Sequence, residues 1–271
     1  MRAETNDGVG VTYRTIGEGK RALVFVHGWM MSGAVFEDLA AALDTTDLKL
    51  VLLDLRGAGD SDRPESGYTL QRFADDVCSV IDHAGLTRPI VVGHSMGGQV
   101  AQLVAASRPD TVAGLILINP VPATGLPLPD DAAALFRGSA TDRDKQGVIL
   151  DIACKQLSPA AKARLVGVAA TVSPSCIGES LDAWVTGGTD THLAAIRAPT
   201  LVLASDDEFI PRPLLREQVV DKIKGARLAW LPGSGHYAPA EQPAAVAAVV
   251  DAFVAGVRPV AASPTLATPP A

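Results

Sequence analysis

The chain has 271 residues, 48% of them hydrophobic and 20% charged, a globular balance that excludes a disordered protein. Its 23 Lys and Arg against 30 Asp and Glu leave a net charge of −7, and aromatic residues are only 4%. That argues against a nucleic-acid or anionic-membrane surface and against platforms for stacking bases. Cys78, Cys154 and Cys176 are few, odd in number and widely spaced, which reads as three buried or half-buried thiols, without disulfide or zinc site. The opening Met1–Asp7 carries no apolar run of signal-peptide type, and no stretch nears the roughly 18 apolar residues of a membrane span. A cytoplasmic protein acting on a small molecule is expected, as monomer or homodimer, with no nucleic-acid or membrane partner and no metal.

In chain order, Val9–Thr15 and Arg21–Val26 read as strands around the turn Gly17-Glu18-Gly19. Gly33–Leu43 reads as a helix, Leu48–Asp54 as a strand, and Leu70–His83 as a helix whose Leu70, Phe73, Val77 and Val80 recur on one face. Ile90–Val92, a helix over Met96–Ser107 and Leu115–Ile118 follow. Strand and helix in alternation predict a parallel sheet with helices on both faces. The alternation stops at Pro120, where Pro122, Pro127 and Pro129 open a helical stretch, and resumes with strands at Pro199–Ala204 and Ala226–Leu231 and helices at Arg212–Lys224 and Ala244–Val257. Residues 1–120 and 197–257 are thus expected to form an α/β core, residues 121–196 a helical cap inserted within it, and the Pro- and Ala-rich residues 258–271 a disordered tail.

One motif carries chemistry. Gly93-His94-Ser95-Met96-Gly97 is a G-x-S-x-G sequence, weak by itself, but an apolar strand precedes it and an Ala- and Val-rich helix follows. Strand, sharp turn and helix make a nucleophile elbow, with Ser95 raised above the sheet edge and the free N–H groups of a helix start beside it. A serine hydroxyl needs a base, and the base an orienting acid. His236, in the Gly-rich Pro232–Tyr237 loop after the last strand, is the candidate base. Asp207, in Ser205-Asp206-Asp207-Glu208 after the preceding strand, is the candidate acid; its neighbour Asp206 competes, and Asp207 is favoured because it lies four residues before Pro211. Ser95, Asp207 and His236 follow the chain order of such a triad. In Val26-His27-Gly28-Trp29-Met30, at another strand end, the N–H of Trp29 would join that of Met96 as an oxyanion hole, while His27 reads as a residue bonding the loop backbone.

These motifs resemble the α/β-hydrolase superfamily. His27–Gly33, with Asp54-Leu55-Arg56-Gly57-Ala58-Gly59-Asp60-Ser61, is similar to its esterase and cofactor-free haloperoxidase branch. The resemblance covers about residues 8–120 and 197–256. It implies an α/β-hydrolase fold with a mostly parallel eight-stranded sheet, an acyl-enzyme, and no cofactor. Relatives with perhydrolase character carry Pro where this chain has Met30, which tilts the expectation toward ordinary ester or lactone hydrolysis. Ser95 in the elbow sets aside the carboxylate-driven epoxide hydrolases and haloalkane dehalogenases.

The remaining polar candidates read as structural. Asp54 and Arg56 are expected to form a turn-stabilising ion pair, His83 and His192 to be solvated or capping, and Asn119 has an amide that supplies no charge. Of the insertion's large side chains, Phe136, Ile149, Ile152, Leu157 and Trp184 form its own core or face Ser95. Met30, Phe136, Trp184, Phe209 and Tyr237 are expected to line an apolar substrate pocket, with Met31 nearby. Arg137, Arg143, Lys155 and Lys162 keep open a carbon–carbon bond hydrolase gripping a keto acid. The same triad could also serve amidase or perhydrolase chemistry, and the same fold a small-molecule receptor.

Overall fold

A computed structural model describes residues 1–257, and the expected tail at 258–271 lies outside them. Aliphatic and β-branched runs form eight strands in one sheet. They are β1 (Arg2–Glu4), β2 (Gly10–Ile16), β3 (Arg21–Val26), β4 (Leu48–Leu53), β5 (Ile90–His94), β6 (Gly114–Ile118), β7 (Thr200–Ser205) and β8 (Arg227–Leu231). Their spatial order is β1-β2-β4-β3-β5-β6-β7-β8. The pairs β1–β2 and β2–β4 are antiparallel and the others parallel. Strands β5 and β6 are buried at every position, as strands covered on both faces must be.

Between the strands run α1 (Glu37–Ala42), α2 (Leu70–His83), α3 (Met96–Ser107), α4 (Asp130–Gly138), α5 (Arg143–Ala153), α6 (Pro159–Ala169), α7 (Pro174–Thr186), α8 (Arg212–Gln218), α9 (Ala238–Glu241) and α10 (Pro243–Gly256). Helix α2 starts where the Thr69 side chain accepts from Arg72 N, and it buries Leu70, Phe73, Val77 and Val80 as their spacing requires. Helix α3 is apolar around most of its circumference and is buried from Met96 to Ala106. Helices α4 to α7 fill the interval between β6 and β7. The last two begin alike, with Ser158 or Ser173 as cap and Pro in the first turn.

Two expected helices are interrupted. The Gly33–Leu43 stretch divides into a 3₁₀ turn at Gly33–Phe36 and the short α1, and Arg212–Lys224 into α8 and a 3₁₀ turn at Val220–Lys222. In the second case the β-branched Val219 breaks the run with φ −126° and ψ −59°. Strand β5 runs two residues further than its apolar run, through Gly93 to His94.

Parallel register brings the carboxyl ends of β3, β5, β6, β7 and β8 to one edge. Val26 pairs with Gly93, His94 with Ile118, Ile118 with Leu203, and Ser205 with Leu231. Every candidate catalytic residue lies within five residues of one of those ends, where open parallel sheets hold their ligands.

Candidate active site

Ser95 sits between β5 and α3 at φ 55° and ψ −125°, a conformation that costs a non-glycine residue about 1–3 kcal/mol. The turn around it is held from both sides. Ser95 N donates to Ile118 O, while its carbonyl accepts from Gly98 N and Val121 N. Gly97 is needed for close approach, since a Cβ there would lie 2.2 Å from Val26 O. A Cβ on Gly28 would meet the Ser95 Cβ at 2.9 Å, so the loop after β3 passes directly over the elbow.

His236 and Asp207 meet. The His236 Nδ1–H donates to Asp207 Oδ2 at 2.6 Å, and Asp207 Oδ1 accepts from Phe209 N at 2.9 Å. Burial pushes the Asp207 carboxyl up. Attraction to His236, their hydrogen bond and the N–H groups of Phe209 and Ile210 outweigh it, so its pKa lies below the ordinary carboxylate value. Asp206, the competitor, turns away. Its carboxylate accepts from Trp230 Nε1 at 3.2 Å and from Gly233 N at 2.8 Å. Ser95 and His236 line one cavity, though no hydrogen bond joins their side chains, an arrangement common before a substrate closes the geometry.

The cavity measures about 40 Å³. Trp29, Phe136, Trp184, Phe209 and Tyr237 line it, together with Leu126, Leu128, Ile149, Ala153 and Ile210. Three expectations are corrected. Met30 does not line it; its backbone is left-handed, with φ 61°, and its side chain is buried with the sulfur 3.7 Å from the Ser139 hydroxyl. Met31 is buried and likewise absent from the lining. Ile152 neither packs inside the insertion nor faces the site, being 53% exposed on the outer side of α5. Trp29 is buried, and its ring stacks on Phe136 at 5.1 Å while its Nε1–H donates to Ile177 O on α7. No described hydrogen bond uses the backbone N–H of Trp29 or of Met96, which leaves both as free donors beside Ser95.

A larger groove of about 620 Å³ opens between the β2–β4 edge and α6, remote from these groups. Arg14 pairs there with Glu37 and Arg164 with Asp38, and none of the triad candidates lines it.

The loop carrying His236 is bonded on three sides by residues whose part in the site no sequence motif marks. His94 Nε2 and Asn119 Nδ2 both donate to His236 O, at 2.8 and 3.1 Å. Asn119, left-handed at φ 40°, also donates to Ser205 Oγ and accepts from Ser205 N. His236 N donates to Ala153 O at 2.7 Å. Glu241 Oε2 accepts from Gly235 N, Lys155 N and Gln156 N, joining the loop to the end of α5. The available signals were an imidazole beside the nucleophile and an amide at the end of β6; neither declares a backbone partner in another segment.

His27 brackets the loop after β3. Its Nδ1–H donates to Gly28 O and its Nε2 accepts from Leu55 N. Asp54 and Arg56 do not pair with each other. Asp54 accepts from Gly33 N and Asp60 N, whereas Arg56 is drawn inward to Asp76 and Asp7. His83 bonds Tyr13 through its Nδ1, and His192 is exposed. Among the described residues no group of acidic, histidine or cysteine side chains is arranged to hold a metal ion, and no helix is long and apolar enough to cross a membrane.

Burial lowers the pKa of His27, and lowers that of His94 to about 3, so His94 stays neutral in the fold. The unfolded chain protonates it below pH about 6.5. Between that value and pH 3 the unfolded state therefore binds more protons at this position, and stability falls as pH falls, on the order of 1 kcal/mol per pH unit. Chemical denaturation from pH 7 to 4 should record this slope, and His94→Gln should flatten it.

The profile of the Alpha/beta hydrolase family matches residues 23–249. A non-heme haloperoxidase of Rhodococcus erythropolis is 29% identical over 85% of this chain and 90% of its own length. Among solved structures, an esterase from Exiguobacterium antarcticum superposes with a TM-score of 0.87 at 23% identity, over 94% of this chain and 99% of that one. An esterase from Rhodococcus sp. ECU1013 gives 0.82 at 26% identity, over 95% and 99%.

Proposed function

The chain belongs to the α/β hydrolase family, and within it we propose a serine hydrolase that cleaves a carboxylic ester or lactone of a small, uncharged substrate. The observation that carries this reading is the juxtaposition of Ser95, on its strained elbow, with a His236 whose Nδ1–H is committed to Asp207. With Nδ1 as donor, Nε2 is the basic nitrogen. It takes the Ser95 proton as the oxygen attacks the carbonyl, and the oxyanion accepts from Trp29 N–H and Met96 N–H. His236 then gives its proton to the departing alcohol. Water, deprotonated by the same nitrogen, attacks the acyl-enzyme, which releases the acid and restores Ser95. The α4–α7 insertion acts as a cap that keeps bulk water from this sequence.

A keto-acid hydrolase loses ground on charge. Arg137 pairs with Asp182, Lys155 with Glu208 and Lys162 with Asp151, Arg143 is exposed, and none of the four lines the cavity. The test is labelling with a fluorophosphonate, followed by peptide mass mapping and a screen of p-nitrophenyl esters, lactones and aryl amides. A stoichiometric adduct on the peptide holding Ser95, with turnover of esters or lactones, is expected. No adduct and no turnover, with a ligand-induced rise in melting temperature, would point to a small-molecule receptor instead.

A further inference from the structure

The cavity beside Ser95 is small, about 40 Å³ against about 620 Å³ for the groove lined by β2 and α6 residues. In an ester hydrolase the acyl group stays on the serine through both half-reactions, while the alcohol must leave before water can enter. The small apolar space beside Ser95 serves, on that argument, as the acyl site. No charged side chain other than the His236 imidazole lines it, so the acyl group is uncharged.

Two of its walls are tied down by hydrogen bonds. Trp29 is fixed by its Nε1 bond to Ile177, and Ala153 by the bond its carbonyl accepts from His236 N. Phe136 is held differently. It is the only buried side chain of α4, whose other residues are exposed or half-buried. Its ring lies flat on Trp29 at 5.1 Å and 9°, edge-on to Phe209 at 5.7 Å, and 6.2 Å from Trp184. It thus spans the space between the oxyanion loop and the far wall.

We propose that Phe136 is the specificity-determining plug of the acyl site and restricts the enzyme to short, uncharged acyl groups. This rests on the serine-hydrolase reading above. A chain that outgrows the cavity must displace the ring and with it the stacking on Trp29, whose own N–H is needed for the oxyanion. Length is therefore penalised at the chemical step as well as in binding.

The experiment is a series of p-nitrophenyl esters from acetate to octanoate, with kcat/KM measured for the wild type, Phe136→Ala and Phe136→Leu. One methylene in an apolar pocket discriminates by about 10- to 200-fold. The wild type should lose at least about tenfold between butyrate and octanoate, and Phe136→Ala should raise the octanoate-to-acetate ratio at least about tenfold on the same scale. Phe136→Leu, which keeps an apolar filler and guards against a variant that fails to fold, should lie between. A wild type that uses octanoate as well as acetate, or an unchanged ratio in both folded variants, overturns the proposal. A wild type that cleaves no ester and takes no label at Ser95 overturns the hydrolase reading itself, and the size limit with it.

Discussion

Ser95→Ala is expected to lower kcat about 10⁶-fold, Asp207→Asn about 10⁴-fold, and Asp206→Asn less than tenfold, on any ester the wild type hydrolyses at neutral pH. The first loss removes the nucleophile and leaves the oxyanion donors and the cavity in place. The second leaves the shape of the site intact but changes a proton. Asp207 is 3% exposed and accepts the His236 Nδ1–H at 2.6 Å; an amide there can turn its NH₂ toward Nδ1 and force the proton onto Nε2. The imidazole then faces Ser95 with a donor where a base is required. Asp206 separates the two acids cleanly, because its oxygens serve Trp230 and Gly233 and never reach the imidazole. Comparable losses for both Asp variants would show that the acid has been assigned to the wrong residue. Burst kinetics with the same variants would place the loss in acylation or deacylation.

The largest stability effect is expected at Arg56. Its side chain is 2% exposed and lies between Asp76, 0% exposed, at 2.6 Å and Asp7 at 2.9 Å. Burial pushes the Asp76 carboxyl above the ordinary carboxylate range against the pull of Arg56, which is the mark of a charge that depends on its partner. Arg56→Leu should therefore cost about 3–5 kcal/mol, most of it from an uncompensated Asp76. Arg56→Leu with Asp76→Leu should recover most of that loss, since a buried pair exchanged for apolar side chains is often neutral or better. Asp7, 28% exposed, can return to water. Urea midpoints for the single and double variants measure the difference. A double variant no more stable than Arg56→Leu would mean that packing by the guanidinium, and not charge, dominates.

How far the sequence was legible depended on whether a feature declares itself within one segment. Helix α2 spans Leu70–His83 as its apolar periodicity predicts, and α3 spans Met96–Ser107 as the G-x-S-x-G turn and the Ala- and Val-rich run after it predict. Strand β1 was invisible: three residues with only Ala3 buried leave no pattern to read, and its pairing with β2 supplies the reason for it. The elbow and the candidate acids and base stood out because each follows a strand and has a local signature. The cavity wall was only partly legible. Phe136, Trp184, Phe209 and Tyr237 line it as expected of large apolar residues, but Met30 is turned away by its left-handed backbone, which no composition rule announces. Asp54 and Arg56 looked like partners through adjacency, yet Arg56 finds its carboxylates 20 and 49 residues away. Long-range choices of this kind are settled by the fold.

The bonds from α5 to the His236 loop, and from the Trp29 indole to Ile177 on α7, bear on any effort to re-engineer this protein. The inserted helices supply two backbone carbonyls, of Ala153 and Ile177, that hold the proposed base His236 and the loop of Trp29 in place. An insertion transplanted from a relative for its pocket would have to present acceptors at both points. A graft chosen by shape alone would change the substrate and loosen the chemistry together. Swaps that keep 153–156 and 177 as fixed anchors and Phe136 on the Trp29 ring, and vary only the rest of α4 and the Leu126–Leu128 approach, are the ones that spare this frame.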